Sequence, residues 1–384
     1  MTTRGTSIYG ALYQKLRSIT PLRAAVGAAR DWLFRYCRPV WSLEGVERHS
    51  GQSLRMLFLG HLENKNYFAD LLFAGPVAER SEGRMWLWKA LRLIKSRRTP
   101  HDLVIIDTDV PKYRRLVSRN AFLLPCWVRG EIDLTAVEDL IRKSTSIKSD
   151  LSKIRRSGYD YVVTRDERDF DFFYHEVYLP YGHRVYGGMA FLIPYSDLKQ
   201  FIPHSELLWV QQDGEPVSGM MLRNDKGVMR AYALGVKGGD GMLAKKGALA
   251  ALYYFGIDYL RKRGWQRLHL GGTRPFLRDG VLQYKKKWGL QIVDWSSSWF
   301  VVAAVRYTAA VNALFVNNPF FVEREGTLSG AVFVPEGTPL VDPMIEHPRR
   351  EFNALGVLRM EVWQLPLGTG RLMPECIVLD GPAA

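Results

Sequence analysis

At 384 residues, 47% hydrophobic and 24% charged, the chain has the length of two compact domains with extensions and an ordinary globular composition. Its 53 Lys and Arg against 39 Asp and Glu leave a net charge of +14, which favours polyanionic company such as CoA, nucleic acid or an anionic membrane surface. No apolar run approaches the roughly 20 residues that cross a bilayer, and Cys37, Cys126 and Cys376 have neither metal nor redox spacing, which excludes a zinc site and points to a reducing cytoplasm.

Residues 1–40 carry Arg4, Lys15, Arg17, Arg23, Arg30, Arg35 and Arg38 against the single acid Asp31. Apolar positions at helical spacing, with Pro21 between two runs, predict a basic helical segment. Charges interrupt every candidate apolar core, so it is not a secretory signal. It suits a helix packed on the body of the protein, or a peripheral contact with an anionic membrane surface.

Residues 41–140 read as strands alternating with helices, an α/β layer. Strands are expected at Leu54 to Leu59, Leu103 to Ile106 and Ala121 to Arg129, with helices at Asn66 to Phe73, Met85 to Ile94 and Pro111 to Arg119. His61, Glu63 and Asn64 follow one strand, and Asp107 and Asp109 follow another, where α/β sites often lie.

A basic helix is expected from Ile141 to Tyr159, then a strand to Thr164 and a helix through Val177. Tyr178 to Gly188 reads as an aromatic loop with His183 and Arg184 at its centre and Tyr186 beside them. A hairpin turns at Asp213-Gly214, and a third strand spans Met229 to Gly235. Lys237-Gly238-Gly239 then leads to a helix from about Leu243 to Arg263, with Lys245, Lys246 and Gly247 near its start. A glycine loop at a helix N-terminus can bind phosphates through backbone N–H groups.

The most informative stretch is Leu268 to Gly289, LHLGGTRPFLRDGVLQYKKKWG. A strand opens into Gly271-Gly272, crosses a turn with Arg274 and Asp279, and delivers Tyr284 and Lys285 to Lys287. Glycines let a backbone approach a ligand, and lysines supply cationic donors. Gln291 to Trp295 and Ser298 to Val305 are expected to pair as the last strands of the same sheet, and 306–384 reads as a further α/β extension.

On IKSDLSKIRRSGYDYVV, DGEPVSGMMLR and GG…DG…YKKKWG, residues 141–295 resemble the GNAT-like acyl-CoA N-acyltransferase superfamily. They look closest to the Fem-type aminoacyltransferases and their acetyltransferase-like bacterial relatives. Tyr284-Lys285 takes the place of that family's Phe-Lys pair, while Lys237 to Leu249 does not match the acetyl-CoA loop of ordinary GNAT enzymes. The resemblance implies two GNAT-like mixed-sheet domains in tandem, a diverged one at 41–140 and an acyltransferase domain at 141–305.

It also implies transfer of an acyl group from an acyl-CoA to an amine by direct attack. Lys285, Tyr284 and His183 are the expected catalytic residues. Lys237, Gly238, Gly239, Lys245, Lys246 and Gly247 would hold the donor, and Arg184, Tyr186, Gly271, Gly272, Arg274 and Asp279 the acceptor. The expected acceptor is an amino sugar or cell-envelope precursor, at the inner face of the membrane, with no metal and no DNA partner. Aminoacyl transfer from charged tRNA, and a non-catalytic binding role, are the alternatives.

Overall fold

Two mixed sheets form the body of the protein, and each borrows a strand from the other half of the chain. The computed structural model describes residues 35–109, 121–187, 192–324, 326–366 and 375–380. Most of the basic segment 1–40, the helix expected at Pro111 to Arg119 and Gly188 lie outside the described residues, as does the side chain of Tyr186.

The first sheet contains β1 (Cys37–Glu47), β2 (Ser53–Leu59), β3 (Phe73–Trp86), β4 (Leu103–Thr108) and β5 (Ala121–Pro125). Helix α1 (Leu62–Leu72) follows β2, and α2 (Leu87–Ser96) follows β3. β3 carries no clear sequence signal because it is an edge strand whose side chains are mostly exposed.

The second sheet contains β6 (Val128–Asp133), β7 (Tyr159–Thr164), β8 (Ser205–Gln212), β9 (Glu215–Asp225), β10 (Val228–Val236), β11 (Arg267–Thr273) and β12 (Leu290–Trp295). Between β6 and β7 the expected single helix is two, α3 (Val137–Lys143) and α4 (Thr145–Arg156). They break at Ser144, whose hydroxyl caps α4 by accepting from the Ile147 N–H. After β7, α5 (Glu167–Phe172), a π-helical turn (Phe173–Tyr178) and α6 (Leu179–Tyr186) run on end to end.

The aromatic loop expected at Tyr178 to Gly188 is therefore corrected to helix, ending at Gly187 with φ 51°. Pro180 stands in the first turn of α6, directly after the wide π turn, where its missing N–H is tolerated. Helix α7 (Tyr195–Lys199) precedes β8, and α8 (Gly241–Lys245) and α9 (Ala248–Lys262) follow β10. The expected helix from Leu243 to Arg263 is thus broken at Gly247, φ 99°. The hairpin β8–β9 turns at Asp213 (φ 53°) and Gly214 (φ 84°), the left-handed pair that a two-residue turn requires.

Two readings change at the seam between the halves. Ala121 to Arg129 is not one strand: it breaks at Cys126-Trp127, with β5 in the first sheet and β6 in the second. Strand β13 (Trp299–Ala304) does not pair with β12; it sits between β4 and β5 in the first sheet. The sheet orders are β3-β1-β2-β4-β13-β5 and β12-β6-β11-β10-β9-β8-β7. The division at 140/141 therefore does not separate the sheets.

Residues 306–384 contribute α11 (Ala309–Asn317), β14 (Phe320–Arg324), β15 (Thr327–Pro335), α12 (Asp342–Ala354), β16 (Arg359–Leu365) and β17 (Glu375–Asp380), whose strands form a third sheet. Phe320, Phe333 and Trp363 enter the core of the first half beside Phe122, and Phe352 and Met360 enter that of the second. The extension is thus part of both cores.

Candidate active site

Strands β10 and β11 are parallel neighbours, yet they pair only at Met229–Leu268 and Arg230–His269. Beyond these pairs the strands splay, and Ala231 to Leu234 and Leu270 to Thr273 become opposite walls of a cavity of about 650 Å³. The splay frees facing backbone groups from the ladder, where a ligand can satisfy them. The topologically equivalent parallel pair in the first sheet, β2 and β4, stays closed through Leu59–Ile106. Its mouth is sealed by His61 Nδ1 against Asp107 Oδ2 at 2.6 Å.

Tyr178, Tyr181, Gly182 and Val185 close one side of the cavity, and Leu249 and Tyr253 of α9 another. Tyr67 and Trp127 reach in from the first half. The end wall is the segment from Arg274 to Asp279 followed by α10 (Gly280–Lys287), with Tyr284 and Lys285. Backbone hydrogen bonds from the Leu277 N–H to the Pro319 carbonyl, and from the Phe321 N–H to the Pro275 carbonyl, pin that segment to the C-terminal extension.

Four polar side chains matter in this largely aromatic space. Lys285 is 7% exposed, and its Nζ donates to the Gly272 carbonyl at 3.0 Å. Burial pulls its amine down to about 8, against the pull of Asp279. Asp279 caps α10 by accepting from the Leu282 N–H at 2.9 Å. Burial raises its carboxyl, opposed by backbone donors and by Lys285 and Arg274.

Arg274 lies between the rings of Tyr67 (4.3 Å) and Trp127 (4.2 Å) and donates to Asn64 Oδ1 at 2.8 Å. Thr273 Oγ1 is buried with no hydrogen-bond partner among the described residues. An orphaned buried hydroxyl in a cavity wall is available to a ligand.

Just behind this wall the first half is fixed by charge. Asp107 is 2% exposed, and burial opposes its ionisation. Hydrogen bonds from His61 and from the Asn64 amide (2.7 Å) outweigh that and hold its carboxyl below the usual range. Asn64 thus bridges Asp107 to Arg274. Asp109 instead pairs with Arg35 and Arg38.

Of the residues expected at a site, the cavity brings together Lys285, Tyr284, Gly271, Gly272, Arg274 and Asp279. His183 and Arg184 are exposed on α6 and do not line it, although Gly182 and Val185 do. Lys237, Gly238, Gly239, Lys245, Lys246 and Gly247 also stand outside its walls.

Gly239 and Gly247 have packing reasons to be glycine. A Cβ on Gly239 would lie 2.8 Å from the Pro180 carbonyl oxygen, and one on Gly247 3.2 Å from Lys153 Cβ. Lys286 and Lys287 are ion-paired, with Glu351 at 3.6 Å and with Asp150. Sequence reasoning missed Tyr67, Trp127, Tyr181 and Tyr253, whose only sequence signal is the excess of aromatics, and Thr273, which has none.

A second cleft, of about 380 Å³, lies by β8 and β9. Its carboxylate, Glu206, is already taken up by Arg165, Arg263 and Tyr259. Among the described residues no group of three or more His, Cys, Asp or Glu is placed to hold a metal ion. No described helix is long and apolar enough to cross a membrane.

The described chain is a mixed α/β protein with two large mixed sheets, the arrangement the resemblance implies, and a third, four-stranded sheet from the C-terminal extension. No known protein family and no curated protein matches it. Its neighbours among solved structures include Fem-type, lysyl-phosphatidylglycerol synthetase and GNAT proteins.

It is similar to FemX, at 12% identity over 65% of this chain and 80% of that one, with a TM-score of 0.36. It is also similar to L-PGS from Bacillus licheniformis, at 10% identity over 69% and 84%, with a TM-score of 0.35. A tandem GNAT protein from the clavulanic acid biosynthesis pathway aligns at 12% identity over 71% and 86%, with a TM-score of 0.27. These stand as similarities only; the fold class rests on the sheet topology itself.

Proposed function

We propose that the protein is an N-acyltransferase that moves an acyl group from an acyl-CoA to an amine of an amino sugar or related cell-envelope precursor. The observation that carries this reading is Lys285: a buried ammonium at the end of a splayed parallel strand pair, beside a carboxyl and an aromatic-lined cavity. One N–H of its three is spent on the Gly272 carbonyl, which leaves two for a developing oxyanion.

In this reading the acceptor nitrogen attacks the thioester carbonyl carbon. The C–N bond forms, the C–S bond breaks, and CoA leaves as a thiol after taking up a proton. Lys285 donates to the tetrahedral oxyanion. Asp279 is the carboxylate placed to receive the amine's proton, a role that exposed His183 is poorly placed to fill. Arg274 suits a carboxylate or phosphate of the acceptor.

The freed edges of β10 and β11 suit the amides of the donor's arm. The N-terminal N–H groups of α9, with exposed Lys245 and Lys246 nearby, suit its phosphates. The test is melting temperature with a series of acyl-CoAs and, separately, with charged tRNA. A native-state ligand at about 100 times its Kd stabilises by about 2.7 kcal/mol, so at least one acyl-CoA should raise the Tm. A shift with charged tRNA alone would make the donor an aminoacyl ester instead.

A further inference from the structure

Residues 83–101 carry Arg84, Lys89, Arg92, Lys95, Arg97 and Arg98 and no acid. In the structure this stretch is the end of β3, all of α2 and the loop after it, which holds Arg97 and Arg98. Leu87, Ala90, Leu91 and Ile94 are buried against the first sheet. The opposite face presents Trp88, 44% exposed, followed by exposed Lys89, Arg92 and Lys95. Trp88, Arg92 and Lys95 fall at i, i+4 and i+7, a row about 10 Å long, and Lys89 stands beside it about a quarter turn from Trp88. No carboxylate among the described residues pairs with Lys89, Arg92, Lys95 or Arg98.

Two further observations say what such a row is for. Cys37, the first residue of β1, pairs with Trp86, the last residue of β3 and the one before α2. The sequence that leads into β1 is itself basic and interleaved with apolar residues. Trp88 stacks on Trp86 at 4.4 Å and 19°, which leaves a rigid indole pair at the head of the row.

We propose that α2 is a docking face for an anionic lipid surface, with Trp88 at headgroup depth and Lys89, Arg92 and Lys95 against the lipid phosphates. Exposed cations on the solvent face of a helix, beside an amphipathic indole, match a plane of headgroups. A nucleic acid would call for a groove with open ring faces, and one face of Trp88 is already covered. Leu57 and Leu59 pack under α2, while Met56 and Phe58 face the cluster that borders the cavity. Docking therefore takes place on the far side of the first sheet and does not depend on the acyl-transfer reading.

The test is sedimentation of the full chain with vesicles of phosphatidylcholine alone and of equal parts phosphatidylcholine and phosphatidylglycerol. The wild type should pellet with the anionic vesicles only, and be released at about 0.5 M salt. The combined variant Lys89→Gln/Arg92→Gln/Lys95→Gln should lower partitioning on the order of 100-fold, each basic residue near the surface being worth about fivefold. Lys148→Gln/Arg155→Gln/Arg156→Gln removes the same charge from exposed positions on α4 and should change it no more than a few-fold. All substituted side chains are exposed, and equal melting temperatures check that folding is kept. Equal losses in the two triple variants would overturn the proposal. So would no anionic pelleting by the wild type, or retention by a short RNA in place of vesicles.

Discussion

Lys285, in the end wall of the cavity, and His269, on β11 just before its lining residues, are buried basic groups, and each writes its environment into a pH profile. Protonated Lys285 is disfavoured in the fold, its amine lowered from 10.5 to about 8. Below pH 8 that cost is fully present, and it is relieved as pH rises through 8 toward 10.5. Lys285→Met should therefore gain stability relative to wild type at pH 7 but not at pH 10, measured by urea denaturation. If Lys285 acts as a cation, turnover should fall on the alkaline side near pH 8. His269 is 7% exposed, and its Nδ1 accepts from the Gly271 N–H at 3.0 Å. Burial first, then Arg230, Lys285 and Arg129, lowers it to about 4. As pH falls from 6.5 to 4 the unfolded chain takes up a proton that the native state refuses, so stability is lost across that window. The loss should be absent in His269→Asn; parallel stability curves for the two proteins would contradict the assignment. The cavity residues that were legible in the sequence are the six between Gly271 and Lys285, because one contiguous stretch builds a whole wall. Tyr67 and Trp127 were not, because only tertiary packing brings them there.

At the scale of elements, a glycine-rich sequence can serve a ligand or simply a tight packing contact, and the sequence does not say which. Gly238 (φ 59°) and Gly239 (φ 63°) stand side by side, but only Gly239 is pressed against α6; a Cβ on Gly238 would meet nothing within 4 Å. Both substitutions to Ala strain the backbone by about 1 kcal/mol, and Gly239→Ala adds a clash, so it should cost roughly 1–3 kcal/mol more. Equal losses in thermal melts would mean that the α6 contact is not what fixes Gly239. The same contact explains the misread aromatic loop. Pro180, Gly182 and Gly187 are turn formers locally, yet the segment is held as helix by β10 and by this glycine loop: a Cβ on Gly235 would lie 2.8 Å from the Val177 carbonyl oxygen. The local turn tendency was outweighed by packing, and His183 moved from a loop centre to an exposed helix face.

For the whole molecule, local patterning marked most strands but not their partners. Sequential strands usually neighbour one another, and that expectation put β13 beside β12. In fact β6 and β13 cross in opposite directions between the halves, and the extension fills both cores. Removing either half strips a central strand from the other sheet. Despite its length the chain should unfold in one transition, with far-UV circular dichroism and tryptophan fluorescence coincident in urea. Two separated transitions would mean that the exchanged strands do not couple the sheets.

Acyl transfer in the cavity, as proposed, depends on Lys285. Turnover should be followed as free CoA thiol, with an acyl-CoA that raises the melting temperature and a panel of amino-sugar acceptors. Lys285→Met keeps the stem and removes the donor, and should lower kcat about 100- to 1000-fold. Lys286→Met and Lys287→Met break the pairs to Glu351 and Asp150 and should cost stability while sparing kcat. A folded Lys285→Met protein as active as the other two would rule out Lys285 as the oxyanion donor.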